Sequence, residues 1–191
     1  LYFKRMEGSK ILFEMGELDQ EVKAIIREVK NFPKEGINFK DITTLLSNPV
    51  LNSKVLNAFE VNARKSEAEV IIGIDSRGFL YGNSIACNLK IPFVPVRKKG
   101  KLPHSTLEEI YSLEYGEAIL EIHKDAIKKG QKVLIHDDLL ATGGTALAAS
   151  NLVERLGGVV VGFSFVVHLS FLEGAGKLTE KSQNLFFITT Y

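Results

Sequence analysis

Val133 Leu134 Ile135 His136 Asp137 Asp138 Leu139 Leu140 Ala141 Thr142 Gly143 Gly144 Thr145 passes from a strand, through two acids and a tight turn, into the opening of a helix. The apolar run Val133 to His136 lacks the alternation of a sheet wet on one face, so it reads as a buried parallel strand. Ala146 to Leu156 continues as a helix and stops at Gly157 and Gly158. In an open α/β sheet, ligands bind beyond the carboxyl ends of the strands. A helix N-terminus there presents unpaired N–H groups and a partial positive charge. A phosphate suits the turn Ala141 to Thr145: Gly143 and Gly144 let the backbone come close, and the Thr142 and Thr145 hydroxyls add donors. No lysine follows the glycines, so this is not a Walker loop. Asp137 and Asp138 would repel a phosphate and make sense only facing hydrogen-bond donors, which a ribose 2′,3′-diol supplies.

Working outward, Val70 to Ile74, Phe93 to Val96, Val159 to Val167 and Leu185 to Ile188 are further apolar runs rich in branched residues. Phe79 to Leu89 is a helical segment between two of them, so the chain alternates as an α/β fold with a central parallel sheet flanked by helices. Near the front, Leu18, Val22, Ile25, Ile26 and Val29 recur at helical spacing. Asn48 and Pro49 supply a cap and first-turn proline for a second amphipathic stripe, Leu51, Val55, Leu56 and Phe59. Between Arg97 and Tyr115 the pattern breaks into a polar, basic stretch too long for an ordinary connection, the mark of a functional lid.

The bulk numbers narrow the function classes. A chain of 191 residues suits one domain. Its 24 basic against 23 acidic residues leave a net charge of +1, no field for gathering nucleic acid or anionic membrane. No run approaches a membrane span and no leader pattern opens the chain, so the cytoplasm is the expected location. Leu1 to Arg5 reads as an expression-linker remnant, which leaves residues 6–191 as the single domain. The one cysteine, Cys87, sits among Ile85, Ala86 and Leu89 and reads as a small packed hydrophobe. His136 reads as a hydrogen-bonded core histidine or a partner of the acids. His104, His123 and His168 are scattered, no Cys/His cluster has metal-ligand spacing, and no resident metal is expected.

Four more segments carry chemistry. Asp75 Ser76 Arg77 Gly78 Phe79 is a second strand-to-helix turn able to offer N–H groups to an anion. Arg97 Lys98 Lys99 Gly100 Lys101 Leu102 Pro103 places four cations in five positions, a run that by itself is usually solvated. Tyr111 Ser112 Leu113 Glu114 Tyr115 Gly116 follows, and Phe32 Pro33 Lys34 Glu35 Gly36 Ile37 Asn38 Phe39 Lys40 Asp41 Ile42 precedes them all.

With Val133 to Thr145, these wordings resemble the type I phosphoribosyltransferases, and in particular their adenine-specific members, from about Asn31 to the C-terminus. The resemblance implies that Asp137 and Asp138 hold the ribose hydroxyls of phosphoribosyl pyrophosphate, and that Ala141, Thr142, Gly143, Gly144 and Thr145 hold its 5′-phosphate. It further implies that Asp75, Ser76, Arg77, Arg97, Lys98 and Lys101 bind pyrophosphate, with a cis peptide between Asp75 and Ser76. Residues 18–46 would form a base-binding hood in which Phe39 stacks on adenine, backbone groups of Asn38 and Lys40 read its edge, and Arg77 reaches the ring. Residues 97–117 would be a flexible loop that closes with Tyr115 over the substrates and carries the proton-handling Glu114. Adenine, AMP and pyrophosphate complete the implied reaction, a glycosyl transfer in purine salvage. Mg²⁺ would arrive with phosphoribosyl pyrophosphate, and the enzyme would be a homodimer. Lys40 stands where the family commonly has arginine, and Asn38 where an apolar residue is usual. A relative acting on hypoxanthine or xanthine, or a phosphoribosyl pyrophosphate sensor without catalysis, would share most of these residues.

Overall fold

The computed structural model describes residues 8–112 and 117–191; Leu1 to Arg5, Glu114 and Tyr115 lie outside the described residues. Its centre is a seven-stranded sheet in the order β5-β6-β4-β3-β7-β8-β9. The strands are β3 (Val70–Ile74), β4 (Phe93–Lys98), β5 (Thr106–Ser112), β6 (Glu117–His123), β7 (Lys132–Leu140), β8 (Val159–His168) and β9 (Leu185–Thr190). β4, β3, β7, β8 and β9 run parallel, whereas β5 and β6 form an antiparallel hairpin attached to the β4 edge. The stretch that reads as an irregular lid thus contains a whole strand, β5, because Leu107, Ile110 and their neighbours pair with β6 just beyond it.

Period-two alternation feeds two cores, one on each face of the sheet. Val70, Ile72, Ile74, Val133 and Ile135 pack with Ala148, Leu152 and Val153 of α5 (Gly144–Arg155). Their sequence neighbours Ile71 and Leu134 pack on the opposite face. There they meet α1 (Gly8–Ile25), α3 (Pro49–Lys65) and α4 (Gly78–Leu89) through Val22, Val55, Phe59, Tyr81 and Ile85. Each such fully buried aliphatic or aromatic side chain contributes about 1.5–3 kcal/mol, which explains why the strands read as continuous apolar runs. The expected cap is present, with the Leu51 N–H donating to Asn48 Oδ1 at 3.1 Å ahead of Pro49.

Three local readings differ from the sequence expectation. The first helix ends at Ile25 instead of running to Val29. Residues Arg27–Lys30 form β1, which pairs with β2 (Asn38–Asp41) as a small antiparallel hairpin ahead of α2 (Thr43–Leu46). Val29 keeps the helical spacing only by coincidence, since its backbone partner is Phe39. Cys87 is exposed: the buried face of α4 is Gly78, Tyr81, Gly82, Ile85 and Ala86, and one further residue turns the side chain about 100° outward. β7 runs on through both acids to Leu140 because β8 keeps pairing with it as far as Leu140 opposite His168. No helix among the described residues is long and apolar enough to cross a membrane.

Candidate active site

Strand order reverses between β3 and β7, since the chain leaves β3 for β4 on one side and later returns to β7 on the other. Such a switch point opens a crevice beyond the carboxyl ends of the two strands. The last β3–β7 pair is Gly73 opposite His136, so Asp137 to Leu140 stand beyond the end of β3 and pair only with β8. An open cleft of about 510 Å³ occupies this place, lined by Asp75, Ser76, Arg77, Lys98, Tyr111, Asp137 and Asp138 among others. A second hollow of about 200 Å³ adjoins it, bordered by Ala141 to Thr145 and sharing Arg77, Asp137, Asp138 and Thr145.

Glycines set how closely these elements meet. A Cβ on Gly78 would lie 2.7 Å from the His136 carbonyl oxygen and 3.1 Å from Asp137 Cα, so only glycine lets α4 begin directly on β7. That contact brings Arg77 to the acids, its Nε 3.0 Å from Asp138 Oδ2. The Asp75–Ser76 peptide just before it is cis, as expected. Gly143 caps α5 with φ +79 and no side chain fills the cap, leaving first-turn N–H groups facing the smaller hollow.

The acids are held in unequal company. Burial pushes the Asp137 carboxyl well above the ordinary range, with the neighbouring Asp138 charge pushing the same way. Burial also raises Asp138, although Arg77 opposes it. Asp137 Oδ1 accepts the Asp138 N–H at 2.8 Å. The pair therefore carries costly charge that donors or a cation would relieve. Asp75 differs: burial alone would raise its carboxyl, but hydrogen bonds and charge from Lys101 and Arg97 hold it below the usual value. Its Oδ2 lies 3.2 Å from Arg97 Nε and 3.3 Å from Lys101 Nζ. Asp75 thus faces the cations; it is the N–H groups and hydroxyl of its turn, not this carboxylate, that suit an anion. Lys98 and Lys99 line the cleft, with Lys99 also 2.8 Å from Glu108.

The hairpin presents Phe39 and its neighbours on opposite faces, as strand alternation dictates. Asn38 and Lys40 side chains both turn to Glu28, with Lys40 Nζ also 3.8 Å over the Tyr191 ring, so neither faces Phe39's side. Phe39 meets the Arg77 guanidinium, whose Cζ is 5.1 Å from the ring centroid, and takes the edge of Phe32 at 5.2 Å. A planar ring between Phe39 and Arg77 needs about 7 Å, twice a van der Waals contact. A purine stacked on that face therefore requires the guanidinium to withdraw.

His136 is a core residue. It is fully buried, its Nδ1 lies 3.0 Å from Ser164 Oγ, and the Phe59 ring packs edge-on at 4.7 Å. Burial lowers its pKa to about 3, so the ring is neutral. Among the described residues, no three His, Cys, Asp or Glu side chains come together as a metal-holding group.

Sequence reasoning passed over two residues. A Cβ on Gly174, at the start of α6 (Gly174–Thr179), would run into the Ala141 carbonyl oxygen and stand 2.8 Å from the Gly143 nitrogen. This glycine backs the Ala141–Thr145 turn from a distant part of the chain, and nothing in its local wording marks it. Glu121 is buried in β6 and accepts the N–H groups of Lys101 and Leu102; an acid inside the apolar run Ala118 to Ile122 was the available signal.

A family model described as the phosphoribosyl transferase domain matches residues 24–186. Adenine phosphoribosyltransferase of Christiangramia forsetii is 50% identical over 158 residues, spanning 83% of this chain and 92% of that protein. The crystal structure of adenine phosphoribosyltransferase from Rhodothermus marinus superposes with a TM-score of 0.87 at 45% identity, covering 92% of this chain and 99% of that one. The Saccharomyces cerevisiae adenine phosphoribosyltransferase, complexed with an imino-altritol bisphosphate and adenine, gives 0.85 at 40% identity over 91% and 99% of the two chains.

Proposed function

Because this chain belongs to the adenine phosphoribosyltransferase family and makes AMP and pyrophosphate from adenine and phosphoribosyl pyrophosphate, we propose that the cleft at the β3/β7 switch point is where it does so. The observation that carries the assignment is the buried acid pair Asp137–Asp138 standing between two uncapped helix N-termini, those of α4 and α5. A ribose diol donating to the acids places its 5′-phosphate at Ala141 to Thr145 on one side. Its pyrophosphate then lies toward Ser76, Arg77, Lys98 and the Arg97–Lys101 turn on the other. The carboxylates gain the donors that burial denies them, and the gathering of Arg97, Lys98 and Lys101 on the Asp75 side, where the more highly charged pyrophosphate would lie, supports this polarity over its reverse.

The reaction breaks the bond from ribose C1 to pyrophosphate and forms one from C1 to adenine N9, through a transition state of oxocarbenium character. Little covalent work falls to the protein. Its residues align base and ribose, spread the leaving group's charge over N–H groups and cations, and keep water out. Phe39 supplies the stacking face after Arg77 swings off it, and backbone groups of Asn38 and Lys40 read the purine edge. Because their side chains are taken up by Glu28, the departures from the family wording at these two positions leave that backbone reading intact. A fixed carbonyl discriminates the 6-amino group of adenine from a 6-oxo group by leaving the latter without its hydrogen bond. Glu114, with Tyr115 on the closing loop, exchanges the proton of the base.

Mg²⁺, brought with phosphoribosyl pyrophosphate, would supply charge neutralisation for the departing pyrophosphate beside Arg97, Lys98 and Lys101. The strongly raised acid pair facing the cleft fits a substrate that brings a cation, and hard divalent ions of this kind keep several waters. A cytoplasmic homodimer completes the reading. The test is AMP and pyrophosphate formation with Mg²⁺ and, in turn, adenine, hypoxanthine, guanine and xanthine. Preference for adenine is expected; preference for a 6-oxopurine would overturn the Phe39 hood assignment, and ligand binding without turnover would favour a sensor.

A further inference from the structure

We propose that Glu121 is a positioning residue for pyrophosphate, fixing the backbone of Lys101 and Leu102 so that the Lys101 ammonium stays at the cleft; this rests on the pyrophosphate reading of Lys101 above. The side chain is 3% exposed on β6, opposite Arg97 of β4 and Glu108 of β5. Its Oε1 accepts the N–H groups of Lys101 and Leu102, each at 2.8 Å. Arg97 Nη1 donates to the Lys101 carbonyl oxygen at 3.2 Å, and Lys101 Nζ lies 3.3 Å from Asp75. Lys101 is therefore held at its N–H by Glu121, at its carbonyl by Arg97 and at its ammonium by Asp75.

Strand β6 needs no acid there. Its sequence neighbours Leu120 and Ile122 are fully buried on the opposite face, and an apolar residue at the equally buried position 121 would avoid the cost of desolvating a carboxylate. What the carboxylate provides is a pair of charge-assisted hydrogen bonds to a turn that has no regular secondary structure of its own and carries Gly100 at φ +82. The cations Arg97 and Lys101 are thereby arranged before any anion arrives, so binding does not have to order them. Asp75 keeps them paired meanwhile, and a pyrophosphate takes over part of that pairing.

The experiment is a double-mutant cycle of Glu121→Ala and Lys101→Ala in the full chain, reading KM for phosphoribosyl pyrophosphate, inhibition by pyrophosphate, KM for adenine and kcat. Glu121→Ala is expected to raise the first KM and the pyrophosphate inhibition constant roughly tenfold. KM for adenine should stay within about twofold, and Glu121→Gln, which keeps an acceptor oxygen, should recover most of the loss. In the Lys101→Ala background, Glu121→Ala should add less than about twofold, because its route of action is gone. Multiplying effects in the double variant would overturn the inference. Lys101→Ala with unchanged affinity for both ligands would instead sink the pyrophosphate reading of Lys101 itself. If Glu121→Ala does not fold, the same cycle is read with Glu121→Leu, which fills the buried space without an acceptor, and an effect of equal size in both Lys101 backgrounds overturns the proposal.

Discussion

Gly174→Ala tests whether the phosphate turn is held from behind as the geometry requires. The added Cβ would overlap the Ala141 carbonyl oxygen and stand 2.8 Å from the Gly143 nitrogen, well inside ordinary contact. Neither is the far end of a flexible side chain. The turn must therefore move by about 1 Å, a misplacement that can cost roughly 100-fold in rate, or about 2.7 kcal/mol of transition-state stabilisation. Overpacking of this kind typically costs about 1–3 kcal/mol of stability, and each kcal/mol moves Tm by about 2–4 °C at this chain length. Steady-state AMP formation at varied phosphoribosyl pyrophosphate should show kcat/KM down about 100-fold, with KM for adenine little changed. Gly176→Ala is the internal control: it lies two residues on in the same helix, a Cβ there meets nothing within 4 Å, and it should behave as the parent. Gly174→Ala with kcat/KM within twofold of Gly176→Ala would refute the claim that Gly174 sets the phosphate turn.

Four further outcomes are expected. Phe39→Ala should raise KM for adenine by roughly 5–150-fold, the range of about 1–3 kcal/mol per stacked base, while KM for phosphoribosyl pyrophosphate stays put; steady-state kinetics with both substrates varied decides it. Asp137→Asn should lose more than about tenfold in kcat/KM, yet melt higher. The folded carboxyl is raised by burial and by Asp138, so the fold loses stability as pH rises above the unfolded value; removing it should raise the melting temperature more at pH 7 than at pH 5. His136, lowered by burial to about 3, is neutral in the fold, so its contribution is intact above pH 6.5 and lost as pH falls toward 3, by up to about 1.4 kcal/mol per unit. His136→Leu should therefore be less stable than the parent at pH 7 but lose less on going to pH 5, read as urea midpoints at each pH. Glu114→Gln should lower kcat with chemistry limiting, and turnover at the parent rate would remove its proton-handling role.

Most of the sheet was legible because parallel strands buried on both faces leave a local signature. Val70 to Ile74 and Val133 to His136 are continuous branched runs, and each lies between two cores. The turn at Ala141 to Thr145 was legible for a related reason: its glycines, hydroxyls and helix start are consecutive, so the proposed anion site is written in one segment. What escaped was structure made by pairing. Leu107 and Ile119 belong to strands only because β5 and β6 find each other across a hairpin, and Val29 left its helix because Phe39 lay opposite it. Strands β1, β2 and β5 carry too few buried positions to impose a period on their sequence.

The site divides along the same line, and the division has a physical basis. Groups proposed to touch ligand need particular chemistry at particular spacing, so Asp137, Asp138, Ser76, Arg77 and the Ala141–Thr145 turn stand out by type. Groups that hold those in place need only the right contact, which any distant segment can make. Asp75 was recognised as part of an anion-binding turn, but its carboxylate works on Arg97 and Lys101, more than 20 residues away. Gly174 presses on a turn some 30 residues earlier, and Glu121 fastens backbone across a 20-residue separation. In each case the residue is small or charged where the ligand is absent, and its reason lies in another segment's backbone. A mechanism that relies on prearranged N–H groups and cations instead of covalent catalysis depends heavily on such supports, since misplacement of about 1 Å already costs what a lost catalytic group would. The residues least visible in the sequence are thus expected to carry effects on turnover comparable to those of the residues that touch substrate.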